Sequence, residues 1–189
     1  MTLASTPTSG PAMHVLPRVM PIPDEVAAWA ECWAELNADL SEEGSFLSKH
    51  GPDILLPAPI NLYGGAAPVG AHVDTEFRKD EARFMIWGLV LTSPEGELVA
   101  NPGKANETRA PLSRGTVYAL DPSVEHEVVC PRGHIAFAAT WGIDPSVAFE
   151  SMEKFGIFAM CLAAREQRNC PDGVRFVERV LGMKDGELS

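Results

Sequence analysis

A chain of 189 residues that is 46% hydrophobic and 22% charged is long enough for one well-cored domain and short for two. Lysine and arginine total 15 against 26 aspartate and glutamate, and the net charge of −11 excludes general affinity for duplex nucleic acid. Cys32, Cys130, Cys161 and Cys170 form no C-x-x-C pair, which argues against a thiolate zinc site and for reduced thiols that are mostly core filler.

In chain order, residues 1–23 read as a flexible leader with five prolines and no apolar h-region. Asp24 is expected to cap a helix whose apolar residues Val26, Trp29, Trp33, Leu36 and Leu40 fall at helical spacing, ending at Gly44. From Ile54 to Trp141 the pattern becomes short apolar runs broken by turn residues. The expected strands are Ile54–Leu56, Ile60–Tyr63, Ala71–Asp74, Phe84–Thr92, Glu97–Ala100, Thr116–Leu120, Glu125–Cys130 and His134–Trp141. Turns are expected at Arg78-Lys79, Pro94-Glu95-Gly96, Asn101-Pro102-Gly103 and Pro131-Arg132-Gly133. Asp144-Pro145 starts a broad-faced apolar helix to about Arg168, which packs on the sheet or on a second subunit, and Val174 to Leu181 forms a last one. The expected fold is mainly β with flanking helices, a double-stranded β-helix (jelly roll) in a single domain over 24–189, with its core at 54–141 and C-terminal helices at 145–182. The most apolar stretch, Phe155 to Ala164, is too short to span a bilayer, so a cytoplasmic protein without a membrane segment is expected.

His72-Val73-Asp74 carries the chemistry. On a strand, residues i and i+2 point to one side, so the imidazole and the carboxylate project together. His126, on a later strand, supplies a third donor. Two histidines and one carboxylate make the facial set that binds non-haem Fe(II) and leaves positions open for a chelating 2-oxo acid and O2. The same H-x-D also fits a surface pair with no ligand role.

The order Asn61-Leu62-Tyr63, His72-Val73-Asp74, Arg83 to Leu91, Arg114 to Pro122, His126, then Gly133-His134-Ile135-Ala136 and Trp141 resembles the prolyl-hydroxylase-like branch of the Fe(II)/2-oxoglutarate oxygenases. The likeness spans Leu62 to Trp141. It implies an oxidoreductase, a dioxygenase that couples decarboxylation of 2-oxoglutarate to hydroxylation of a C–H bond in a small molecule or protein side chain. The carboxylate in H-x-D favours hydroxylation over halogenation. Tyr63 resembles the family tyrosine that touches the co-substrate, and it also suits plain barrel filling.

One departure stands out. The family places an arginine or lysine on the strand after the second histidine, opposite the far carboxylate of 2-oxoglutarate, and His134 stands near that place here. His134 acts as a weaker, pH-sensitive cation, or it is a core histidine and Arg83 or Arg132 supplies the charge, or 2-oxoglutarate is not the co-substrate. Regular alternation would put His134, Ala136, Ala138 and Thr140 on one face where a ligand could lie. A metal-binding, cupin-like jelly roll without turnover is the alternative, and a homodimer through the C-terminal helix is a further expectation.

Overall fold

Short apolar runs bounded by turn residues become strands, and the two runs at helical spacing become helices. The computed structural model describes residues 11–37, 46–50, 60–65, 69–74, 84–143 and 149–169. In these lie β1 (Met13–Val15), α1 (Asp24–Asn37), β2 (Phe46–His50), β3 (Ile60–Gly65), β4 (Val69–His72) and β5 (Phe84–Val90). There follow β6 (Glu95–Ala100), β7 (Thr108–Pro111), β8 (Val117–Leu120), β9 (His126–Arg132), β10 (Ile135–Ile143) and α2 (Phe149–Asn169). Expected features at Leu40, Gly44, Ile54–Leu56, Arg78-Lys79, Asp144-Pro145, Cys170 and Val174–Leu181 lie outside the described residues.

The strands form two antiparallel sheets, ordered β1-β8-β5-β10-β3-β2 and β4-β9-β6-β7. Their pairings nest. β3 pairs with β10, β4 with β9, β5 with β8 and β6 with β7, alternately in the larger and the smaller sheet. The chain therefore runs as one long antiparallel ribbon, folded over so that successive rungs fall in opposite sheets.

Alternation along each strand decides which layer receives each side chain. Met85, Trp87 and Leu89 of β5, Val117 and Ala119 of β8, and Ala136 and Ala138 of β10 pack in the cluster shared with α1 and α2. Val90, Tyr118, Leu120, Ile135 and Phe137 instead pack between the sheets, with Leu98, Ala100 and Cys130. The larger sheet is thus apolar on both faces. Helix α1 buries Val26, Trp29, Ala30, Trp33 and Ala34, and the two indoles stack with centroids 5.4 Å apart. Gly64 on β3 lets that helix settle, because a Cβ there would come within 3.3 Å of the Trp33 ring. Helix α2 buries Met152, Phe155, Ala159, Leu162 and Ala163, and Phe155 meets Trp87 edge-on at 6.1 Å. None of the described helices is long and apolar enough to cross a membrane.

Several expectations need correction. Residues 11–23, read as part of a flexible leader, contain β1, which pairs with β8, and they bury Leu16 and Met20 in the helix-facing core. Pro23, not Asp24, caps α1, since its carbonyl accepts from the amides of Val26 and Ala27, while the Asp24 carboxylate pairs with Arg114 at 3.0 Å. Glu95-Gly96 opens β6 instead of turning a hairpin, because the chain there crosses between sheets. β7, at one edge of the smaller sheet, was not anticipated, and Cys32 and Cys161 are exposed, not core filler.

Gly115 fastens the N-terminal segment. It adopts a φ of 84°, and an added Cβ would lie 2.1 Å from the Met20 carbonyl oxygen, while its own carbonyl accepts from the Met20 amide at 2.7 Å. Backbone strain and clash together predict that Gly115→Ala destabilises the fold by at least about 2 kcal/mol. Phe155→Ala, which empties a fully buried site, should cost about 3–5 kcal/mol. Urea unfolding monitored by tryptophan fluorescence measures both.

Candidate metal centre

The backbone brings the expected donors together through the pairing of β4 with β9. Val69 is opposite Val128 and His72 opposite His126, so three steps on β4 match two on β9. This irregularity is a bulge, which bends the strand and re-aims the residues that follow. On β9, Val128 and Cys130 face the inter-sheet core, and alternation turns His126 the same way. His126 is buried, with its ring centroid 4.3 Å from that of His72.

Asp74 reaches the site differently from the expected simple strand. β4 ends at His72, and Asp74 is held beyond it by its amide, which donates to the Pro122 carbonyl at 3.0 Å. Its carboxylate lies between the histidines, with Oδ1 3.6 Å from His72 Nε2 and Oδ2 3.6 Å from His126 Nε2. Val73, between the two ligand candidates, is exposed.

Both rings are fixed in the tautomer a metal needs. His72 Nδ1 lies 2.8 Å from the Gly70 carbonyl and His126 Nδ1 2.9 Å from the Val124 carbonyl. A carbonyl only accepts, so each Nδ1 carries the proton and each Nε2 presents a lone pair towards Asp74. Burial, reinforced by the nearby His72, lowers the His126 pKa below the ordinary histidine value, against the opposing pull of the Val124 carbonyl, Asp74 and Asp121. Its ring is therefore neutral and ready to ligate.

The donor atoms of His72, Asp74 and His126 all lie within 4.8 Å of one another, the one such group among the described residues. With bonds of about 2.0–2.2 Å, donors at roughly 90–120° around a first-row ion stand about 3.0–3.7 Å apart. The two histidine–aspartate separations already meet that, and the histidine pair needs only a small closure. The residues fit a divalent metal.

A turn that sequence reasoning passed over positions two of the three donors. Asp121 Oδ1 accepts from the Ser123 amide at 2.9 Å and from its hydroxyl at 2.6 Å. That turn carries the Pro122 and Val124 carbonyls that hold Asp74 and His126. The Asp121 amide in turn donates to Ala12, just before β1. The run Asp121-Pro122-Ser123, with aspartate and serine two apart, was the available signal.

The other expected site residues are not gathered here by described side chains. Tyr63 lies on β3, in register with Phe137 and Leu47, and Arg132 on β9, in register with the exposed Glu95, and the side chains of both are outside the described part. Arg83 is outside it altogether. His134 precedes β10 and is half-buried, and its Nδ1 is buried with no hydrogen-bond partner. The face of Ala136 and Ala138, expected to seat a ligand, is instead closed by the helix-facing core. It is Ile135 and Phe137 that look between the sheets.

The described residues form a two-sheet β-sandwich with two helices, carrying a two-histidine, one-carboxylate cluster. No family model matches the sequence, and no curated protein does. Among solved structures, an oxidoreductase of the 2OG-Fe(II) oxygenase family from Burkholderia pseudomallei is similar at 16% identity and a TM-score of 0.36, over 54% of this chain and 47% of that one. The chain thus spans about half the length of that protein. A prolyl-4-hydroxylase from Pseudomonas putida is similar at 18% identity and a TM-score of 0.46, over 70% of this chain and 93% of that one.

Two outcomes follow from the geometry. His72→Ala, Asp74→Ala and His126→Ala should each abolish tight Mn(II) or Fe(II) binding in anaerobic calorimetry, and Asp121→Ala should weaken it about 10–100-fold through the turn. In the metal-free protein, the unfolded chain takes up a proton at His126 near pH ~6.5 while the folded one resists it. This contribution to stability is therefore lost as pH falls below ~6.5, and His126→Gln should flatten that part of the pH–stability curve.

Proposed function

We propose that this chain is an Fe(II)-dependent oxygenase that uses a 2-oxo acid co-substrate, 2-oxoglutarate being the one its motif order implies, to hydroxylate a C–H bond of a small molecule or a protein side chain. The observation that carries the reading is the pair of histidines with Nδ1 bound to carbonyls and Nε2 turned to one aspartate. The nested pairing of eight strands supports a jelly roll, which gathers donors from separate strands into one mouth.

When bound, Fe(II) with three protein donors would supply positions for a chelating 2-oxo acid and for O2. The chain's own part is to orient and exclude. The Gly70 and Val124 carbonyls hold the ring protons away from the donor lone pairs. The inter-sheet core behind His126 keeps water off one side of the site, and the more exposed His72 leaves the other side open to substrate.

One observation favours a second reading, a metal-binding jelly roll without turnover. Among the described residues, no lysine or arginine is buried to meet a co-substrate's far carboxylate. The two readings separate under nitrogen. With Fe(II) and a panel of 2-oxo acids, the oxygenase should give the weak visible charge-transfer band of a chelate, absent in Asp74→Ala. No band with any 2-oxo acid, in protein that binds Fe(II), leaves the non-catalytic module.

A further inference from the structure

The smaller sheet ends in two edge strands, β4 and β7. An unpaired edge offers backbone donors and acceptors to any extended chain, and proteins commonly blunt it with proline or charge. β7 is blunted in both ways. It ends in Pro111, and its exposed Arg109 is held by Glu97 and Glu107 at 2.7 Å each. β4 reads Val-Gly-Ala-His, with no proline, lysine or arginine.

The open side of β4 is exposed right up to the metal centre. Gly70, Ala71, His72 and Val73 are all exposed, and a Cβ built on Gly70 would meet nothing within 4 Å. The bulge lies before His72. Beyond it, His72 and Asp74 converge on one point, as side chains two apart on extended backbone do. The Asp74 amide donates to Pro122, on the β9 side. Alternation therefore turns the Val73 amide and carbonyl to the free side, and no described residue bonds to them.

We propose that the free edge of β4 is a docking strand for an extended stretch of polypeptide, and that the side chain it sets opposite His72 is the one offered to the metal. This rests on the oxygenase reading and narrows its substrate to a polypeptide. An antiparallel strand added there lies about 4.8 Å from β4, and its residue opposite His72 has its Cβ about 4.5–5.5 Å from that of His72, on the same face. That face is the one on which His72 and His126 meet Asp74. Main-chain bonds supply affinity with little regard to sequence, so selection falls to the side chain at the metal and to charge. The net charge of −11 favours a cationic peptide.

The test uses the intact Mn(II)-loaded chain under nitrogen and a library of randomised, proline-free peptides of roughly ten residues with a lysine at each end. Peptides retained by the immobilised protein are remade with N-methyl groups on one or the other set of alternate residues. Methylation of the set facing β4 should weaken calorimetric binding at least about tenfold, and methylation of the other set should change it less than about threefold. Exchange of the Val73 amide should slow when a peptide binds, and Val73→Pro, which removes that donor, should weaken the same peptides about tenfold. If Val73→Pro also loses Mn(II), the N-methyl series decides alone. A library from which nothing is retained, or peptides weakened equally by both sets, overturns the proposal. The oxygenase reading fails separately, through the absence of a charge-transfer band with Fe(II) and any 2-oxo acid.

Discussion

The site depends on one backbone pairing, that of β4 with β9, which places His72 opposite His126 across 54 positions of sequence. Neither strand could do this alone. A one-residue slip would send His126 to solvent and leave His72 without its partner, because side chains alternate at every step. The bulge between Val69 and His72 sets the phase, and the half-buried Val128 and the buried Cys130 resist a slip that would expose them. The carboxylate then needs only short-range help, which the Pro122 carbonyl provides.

That help is itself supported from a distance. The turn at Asp121 is tied to Ala12, and the segment around Ala12 is tied to β8 by strand pairing and by the exchange between Met20 and Gly115. The N-terminal segment is therefore part of the scaffold that fixes the metal donors, although it contributes no donor. Helices α1 and α2 act one layer further out, covering the outer face of the larger sheet by packing Trp33 and Phe155 in one cluster with Trp87 of β5.

Much of this was legible in the sequence. The central strands are long apolar runs between turn residues, and the H-x-D with a later histidine brought to notice three side chains that the fold gathers. What was not legible has physical reasons. β1 and β7 are short edge strands that carry histidine, arginine and proline, and edge strands need no hydrophobic alternation. β10 is buried on both faces, so its run of apolar residues gives no sign of which set faces which layer, and starting the alternation at His134 chose the helix side. The only marker of the bulge in β4 is Gly70, since a glycine within a strand often sits at one. The clean helical spacing of α1, by contrast, was legible because only one of its faces is apolar.

The charge of the whole chain favours the ion that the three donors would hold. A net charge of −11 attracts a divalent cation from solution and opposes anions in proportion to their charge, within the Debye length of about 8 Å at physiological ionic strength. The exposure of those donors is graded, with the side chain of His126 6% exposed, Asp74 27% and His72 40%. His126 is thus held against the inter-sheet core while His72 is open to solvent, so a ligand joining a bound metal would approach from the His72 side.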